Sequence, residues 1–249
     1  MARESSTPAV NWPDEPRALR LELVISPQRV TLALLLIAGI ISLASLTGRL
    51  VLKPLGDFPG NNTLIRLSDV TSESSVGTWF SSLALALCSA ILALTTLAKR
   101  SHGRRDVLGW AGLSLIFLYL SVDEGAVIHE AWLDDNSLDL GGPLYYAWVI
   151  PGSVFAAVWA LVYLRFLATL PADIRRLFLI AAALLIGGAV GMEMAGGWLA
   201  DSSGEGTTVF ALVSNLEELL EMVGTITFLY ALMVYSASEV REVRARFSR

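Results

Sequence analysis

Hydrophobic positions along the chain fall into six long runs separated by short polar stretches. A helix advances about 1.5 Å per residue, so about 20 mainly apolar residues cross the hydrocarbon core of a bilayer. The runs at 30–52, 78–97, 107–130, 144–166, 177–199 and 208–235 meet that length. The pattern predicts an all-α, polytopic membrane protein of six transmembrane helices. One connection is long, Lys53 to Gly77, and its Gly, Asn, Ser and Asp content reads as an extramembrane loop. Residues 1–28 carry Pro8, Pro13, Pro16 and Pro27 among charges and lack the apolar stretch and small-residue site of a cleavable signal. They read as a cytoplasmic extension, ahead of a membrane domain at 29–236 and a basic cytoplasmic tail at 237–249.

Composition agrees with a lipid environment. Of 249 residues, 54% are hydrophobic and 16% charged, against about 25% charged in soluble domains. The net charge of −5 leaves no basic surface for nucleic acid, so no such partner is expected. A lone Cys88 inside an apolar run can form no internal disulfide and reads as a small buried hydrophobe.

The distribution of charge says more than its sum, because Lys and Arg are retained on the cytoplasmic side of a membrane. Fifteen of the 18 basic residues lie before the first run, after the second, at the end of the fourth or after it, or after the sixth. Arg49, Lys53 and Arg66 are the exceptions. This sorting predicts both termini inside and the chain in the inner (plasma) membrane. The opposite short loops hold Asp134, Asp135, Asp139, Asp201 and Glu205 with no basic residue, an acidic outer rim. Trp79, Trp132, Tyr145, Tyr146, Trp148 and Trp198 fall near the outer helix ends, as an interfacial aromatic belt requires.

Acids inside the runs are the candidate chemistry: Asp123, Glu124, His129 and Glu130 on the third, Glu193 on the fifth, and Glu217, Glu218 and Glu221 on the sixth. Asp123, Glu193, Glu217 and Glu221 fall in one layer, roughly 9–20 Å below the outer boundary at 1.5 Å per residue. A charged group at the bilayer centre costs at least about 2.5–3.5 kcal/mol, so these acids are expected to face one another rather than lipid. Asp123 and Glu130 share a helical face, whereas Glu124 and His129 are expected to point elsewhere. Glu217, Glu218 and Glu221 leave their helix within about 100°.

Carboxylates so clustered cannot all ionise without compensation, which shared protons, water or a bound cation must supply. Oxygen ligands with one imidazole suit Fe, Mn or Zn; without His129 they suit Ca or Mg. All eight residues are therefore candidate metal ligands, with protons alone as the alternative. Small residues within 182–197 form two ladders, Ala189 with Gly196 and Gly197 beside Glu193, and Ala183, Gly187, Gly191 and Ala195 opposite. These mark the fifth helix as central, and as a face for a helix partner or a second copy of the chain.

The segments LSVDEGAVIHE, AVGMEMAGGW and LEELLEMVGT resemble a group of bacterial polytopic membrane proteins of unknown function. The resemblance implies the helical membrane fold and no activity. Three functions remain open: cation binding coupled to transport, a metal-dependent enzyme acting on a lipid or quinone-like substrate, and an accessory subunit of a larger complex.

Overall fold

A computed structural model describes residues 26–56, 60–72, 74–101, 106–129 and 140–239, and these are helical almost throughout. Helix α1 (Pro27–Thr47) opens on a proline, whose missing N–H has no partner to lose in a first turn. It runs on through a π turn (Gly48–Leu52) and a 3-10 turn (Lys53–Leu55) to Gly56, where a φ of 84° ends it. The short α2 (Asn61–Ser68), α3 (Val76–Ser101) and α4 (Val107–Ala126) follow, and a 3-10 turn (Gly142–Leu144) precedes α5 (Val149–Thr169). Pro171 holds Leu170 extended, at ψ 150°, and separates α5 from α6 (Ala172–Ile186). A π turn (Gly187–Met192) carries α6 into α7 (Glu193–Ser203), and after Gly204 the chain enters α8 (Thr208–Glu239).

Among the described residues six segments are long and apolar enough to cross a bilayer: Pro27–Leu55, Val76–Ser101, Val107–Ala126, Val149–Thr169, Ala172–Ser203 and Thr208–Ser238. Their number and order are those expected from the sequence, and they make the chain a multi-pass membrane protein. The start of α1 and the end of α8 lie on one side of the bundle, the terminal face; the opposite side is the far face.

Two boundaries differ from expectation. The third span stops at Ala126 rather than at 130, because Val127 takes a left-handed conformation (φ 52°) and its N–H bonds the Asp123 carbonyl at 2.7 Å. The long connection also does not stay wholly outside. Val70 is fully buried, its N–H donates to Ser45 Oγ at 3.2 Å, and Gly77 leaves room for its side chain.

The central helix is α8, not the fifth span. Half of its apolar stretch is buried (50%), against 17% for α6 with α7, and α1, α3 and α6 pack around it. Two glycines allow the closest approach. A Cβ on Gly188 would lie 2.7 Å from Glu221 Cγ and 3.0 Å from the Glu217 carbonyl, and one on Gly224 would lie 2.9 Å from the Leu185 nitrogen. By contrast, a Cβ on Gly187 or Gly191 would meet nothing within 4 Å. The expected ladder of Ala183, Gly187, Gly191 and Ala195 is thus not what seats α6 on α8.

Helices α3 and α4 are clipped by two reciprocal serine pairs. Ser82 and Ser121 each donate to the other's carbonyl, at 2.8 and 2.9 Å, and Ser89 and Ser114 repeat the pattern seven residues along. Such bonds are polar glue where apolar contact with lipid competes equally well. Towards the terminal face the interior is closed by aromatic rings: Phe117 stacks on Phe228 at 4.2 Å, and Trp110 on Tyr235 at 4.6 Å. Beside them Lys99, buried, pairs with Asp106 at 2.8 Å, and Trp110 Nε1 donates to the same carboxylate at 3.2 Å.

Candidate functional site

Toward the far face the bundle opens into a cavity of about 760 Å³. Seven of the eight sequence candidates line it: Asp123, Glu124, His129, Glu193, Glu217, Glu218 and Glu221. The eighth, Glu130, lies outside the described residues. Among the described residues no Lys or Arg lines it.

The acids reach the cavity from three directions. On α8, Glu217 and Glu221 are one turn apart and Glu218 adjoins them, so one face presents all three. Gly188 lets the π turn sit against this face, and Glu193, the first residue of α7, lines the cavity beside the Glu217 carboxyl. Single π turns inside α-helices recur at functional sites, because the extra residue rotates whatever follows. On α4, Asp123 points into the cavity, where Tyr119 Oη donates to its Oδ1 at 3.5 Å.

Glu124 and His129 correct the sequence expectation that they point away. Glu124 lines the cavity and lies within electrostatic range of Glu218 and Glu221. His129 lies past the helix end, so a helical wheel does not apply to it. The turn at Val127 folds it back: its N–H donates to Asp123 Oδ1 at 2.8 Å, and its Nδ1 is 3.0 Å from Oδ2. A positive φ at a β-branched residue is strained, and here the two bonds to Asp123 hold it.

Trp148, expected in an interfacial belt, also belongs to this site. Its ring packs against the His129 imidazole with centroids 4.6 Å apart, and its Nε1 donates to Glu193 Oε1 at 3.2 Å. One chain of contacts therefore runs from Tyr119 through Asp123, His129, Trp148 and Glu193 to Glu217. Trp148 directly precedes α5, and its position in sequence carries no sign of this role. Trp79 and Trp198, 68% and 56% exposed, do stand outward as belt residues would.

The far-face connections close over the acids. Tyr146 Oη donates to Glu205 Oε1 at 2.9 Å, and the Gly142 N–H donates to Asp201 Oδ2 at 2.8 Å. Burial, then the bond to Glu205 and its charge, hold the Tyr146 phenol well above its ordinary range. Asp201 and Glu205, expected as rim acids, are thus stitches between loops; Asp134, Asp135 and Asp139 lie outside the described residues. Near the same end Arg49 Nε approaches Asp69 Oδ2 at 3.9 Å, and its guanidinium sits 6.0 Å from the Phe210 ring centre.

Among the described residues no group of three or more His, Cys, Asp or Glu side chains is arranged to hold a metal ion. Asp123 with His129 supplies a pair, and carboxyls that face one another across a cavity can exchange protons.

Below the acids the cavity continues between α4, α5 and α6 over apolar and aromatic side chains, among them Phe155, Trp159 and Tyr163 of α5 and Phe178 of α6. Six spans around a carboxyl-lined chamber define an intramembrane acidic-site protein of the multi-pass class. The family described as Domain of unknown function (DUF8692) matches residues 30–236, and the chain belongs to that family. No curated protein and no solved structure matches it.

Proposed function

We propose that this is an inner-membrane protein, both termini cytoplasmic, whose carboxyl chamber binds protons reversibly from the far, external side and couples that binding to transport. The sorting of basic residues supports the orientation, since in the sequence fifteen of 18 lie before the first run, after the second, at the end of the fourth or after it, or after the sixth. One observation carries the rest: Glu124, Glu193, Glu217, Glu218 and Glu221 share one cavity with the Asp123–His129 pair and with no basic lining residue. Like charges so placed must be neutralised by something mobile, and protons require no third ligand. Proton occupancy leaves the chamber near neutral, which is the state a low-dielectric surrounding favours.

The test is the pH response of thermal stability. Glu217→Gln with Glu221→Gln keeps shape while removing two titrating groups, so melting of the variant is expected to lose most of the wild-type dependence on pH, since a bound proton stabilises only the state that holds it. An unchanged response would reject the chamber as the proton site.

A second reading, an enzyme acting on a lipid or quinone-like molecule, draws on the apolar length of the cavity. In it the Asp123–His129 pair serves as general acid and base. Loss of turnover in His129→Gln with the pH response of melting intact would favour it over the first.

A further inference from the structure

The cavity has two chemistries, and the proton reading uses only one. Along α5 the residues Gly152, Ala156, Trp159, Tyr163 and Leu167 line it at three- and four-residue spacing. A whole helical face thus looks into a slot, over about 15 residues or roughly 22 Å. An inorganic cation or a proton has no use for that length. The slot's upper end is acidic, and there the carboxyls of Glu218 and Glu221 take no hydrogen bond from any described residue. They face the cavity as acceptors or donors with no partner among the described residues.

We infer that the cavity holds a long-chain organic cation, an ammonium head among Glu193, Glu217, Glu218 and Glu221 with its alkyl tail lying along the inner face of α5. This rests on the cation reading and names its substrate class. Charge selects the head: a carboxylate or phosphate would meet only like charge, while an ammonium supplies the donors that Glu218 and Glu221 lack. Trp148, Tyr119 and Phe155 stand beside the acids, and aromatic faces attract an ammonium further. Apolar side chains select the tail.

Access is from the bilayer. Helix α5 meets α4 through aromatic side chains, Tyr119 with Phe155 at 5.8 Å, and Phe166 over Gly109 near the terminal face. Leu118 and Val122 of α4 and Val154 and Val158 of α5 lie exposed on the two helices. A lipophilic amine can pass the seam between them without crossing water.

Seating one ammonium lets one carboxyl proton leave, so the chamber keeps its net charge and exchanges one proton for one amine. The groups facing this exchange are Tyr119, Asp123, Glu124 and His129 from α4 and its end, Tyr146 and Glu205 from the connections, and Glu193, Glu217, Glu218 and Glu221. Asp69 and Arg49 lie at the mouth. Binding is therefore expected to tighten as pH rises.

The full chain in zwitterionic nanodiscs, titrated with hexadecylamine and followed by tryptophan fluorescence, tests the inference. Hexadecanol, palmitic acid and butylamine are the comparison probes. Hexadecylamine should bind saturably and at least about ten-fold more tightly than the alcohol or the acid, the factor expected from one charge-assisted hydrogen bond. Butylamine should not compete. Glu218→Gln with Glu221→Gln should abolish the preference for the amine. Ala156→Phe, which fills the slot below the acids, should weaken hexadecylamine about ten-fold or more, as losing two buried methylenes would, and leave the pH response of melting intact. Equal binding of amine and alcohol, tighter binding of palmitic acid, or an Ala156→Phe variant that binds as wild type would each overturn it. A pH response without amine binding would overturn the inference and leave the proton site standing. Amine binding without a pH response would do the reverse.

Discussion

Replacing Gly188 by alanine adds one methyl group at the contact that positions the acids. That carbon would sit 2.7 Å from Glu221 Cγ, 3.0 Å from the Glu217 carbonyl oxygen and 3.3 Å from the Glu221 nitrogen. Favourable carbon contacts lie near 3.5–4.0 Å, so the π turn and α8 must part by roughly 0.5–1 Å. Two of the three obstructing atoms are backbone, and no rotamer change relieves them. Overpacking of this kind costs about 1–3 kcal/mol. At about 2–4 °C per kcal/mol for a chain of this size, the melting temperature should fall by about 2–12 °C. The separation should also move Glu193 away from Glu217 and blunt the pH response. Gly187→Ala and Gly191→Ala are the controls, since neither methyl group would meet anything within 4 Å. Each should be neutral or stabilising by up to about 1 kcal/mol, from helix propensity. Melting of purified variants in one detergent or nanodisc preparation measures all three. If Gly188→Ala melts with Gly187→Ala, the close approach of the π turn to α8 is not a feature of the folded protein.

Two further substitutions test the rest of the bundle. Ser89→Ala and Ser114→Ala should each destabilise by about 0.6 kcal/mol, the mean for interhelical hydrogen bonds in membranes, in equilibrium unfolding with a graded denaturant; no change in either would deny the serine clip a role. Asp106→Asn should cost about 1–3 kcal/mol, more than an exposed pair and less than a fully buried one, because Asp106 is 23% exposed while Lys99 keeps its charge beside Trp110 and Tyr235. Burial alone would raise the Asp106 carboxyl, but bonds from Lys99 and Trp110 outweigh it and hold the group below the usual carboxylate value. With the folded value depressed, this pair stabilises the protein above about pH 3.9, and the contribution is lost as pH falls through the folded value. Lys99→Met combined with Asp106→Leu should recover most of the loss, and an Asp106→Asn variant as stable as wild type would refute the account.

The six spans are legible in the sequence because lipid tolerates only long apolar helices, and the run lengths state that directly. The acidic layer is legible for a related reason: acids in such runs are too costly to face lipid. What the sequence hides is angle. A wheel of 100° per residue assumes an unbroken α-helix, and the π turn at Gly187–Met192 breaks that assumption just before Glu193. The contact surface therefore falls on Gly188 rather than on Gly187 and Gly191. His129 departs from expectation for another reason, since the helix carrying Asp123 ends at Ala126 and a turn brings the imidazole back. Lys99 enters the charge sorting only as one of the basic residues after the second run, yet it is buried against rings contributed by residues 11 and 136 positions away, a pairing no local pattern encodes. Trp148 reads as a belt residue because its neighbours Tyr145 and Tyr146 share the helix end, and only the fold brings Glu193 to its indole.

Transport places a demand on the structure that binding does not. On the proposed function a cation would reach Glu217 and Glu221 through the cavity from the far face, but beyond them Phe117, Phe228 and Phe178 pack with centroids 4.2 and 4.5 Å apart, and Trp110 and Tyr235 close the next layer. A charge cannot pass such rings without displacing them. Four of the five rings stand on α4 and α8, each bound along its length to a neighbour: α4 to α3 by the serine pairs, and α8 to α1, α3 and α6. The least constrained wall is α5, which touches α4 through Tyr119–Phe155, through Phe166 and through the Tyr163 hydroxyl on the Gly109 carbonyl at 3.1 Å. Swinging α5 away breaks few contacts and widens the slot along its whole length, toward the terminal face as well as toward lipid. On the proposed transport function, α5 is the wall whose movement against the α3–α4–α8 core would expose the acids alternately, and the side chains that bridge α5 to α4 are the ones that would have to let go.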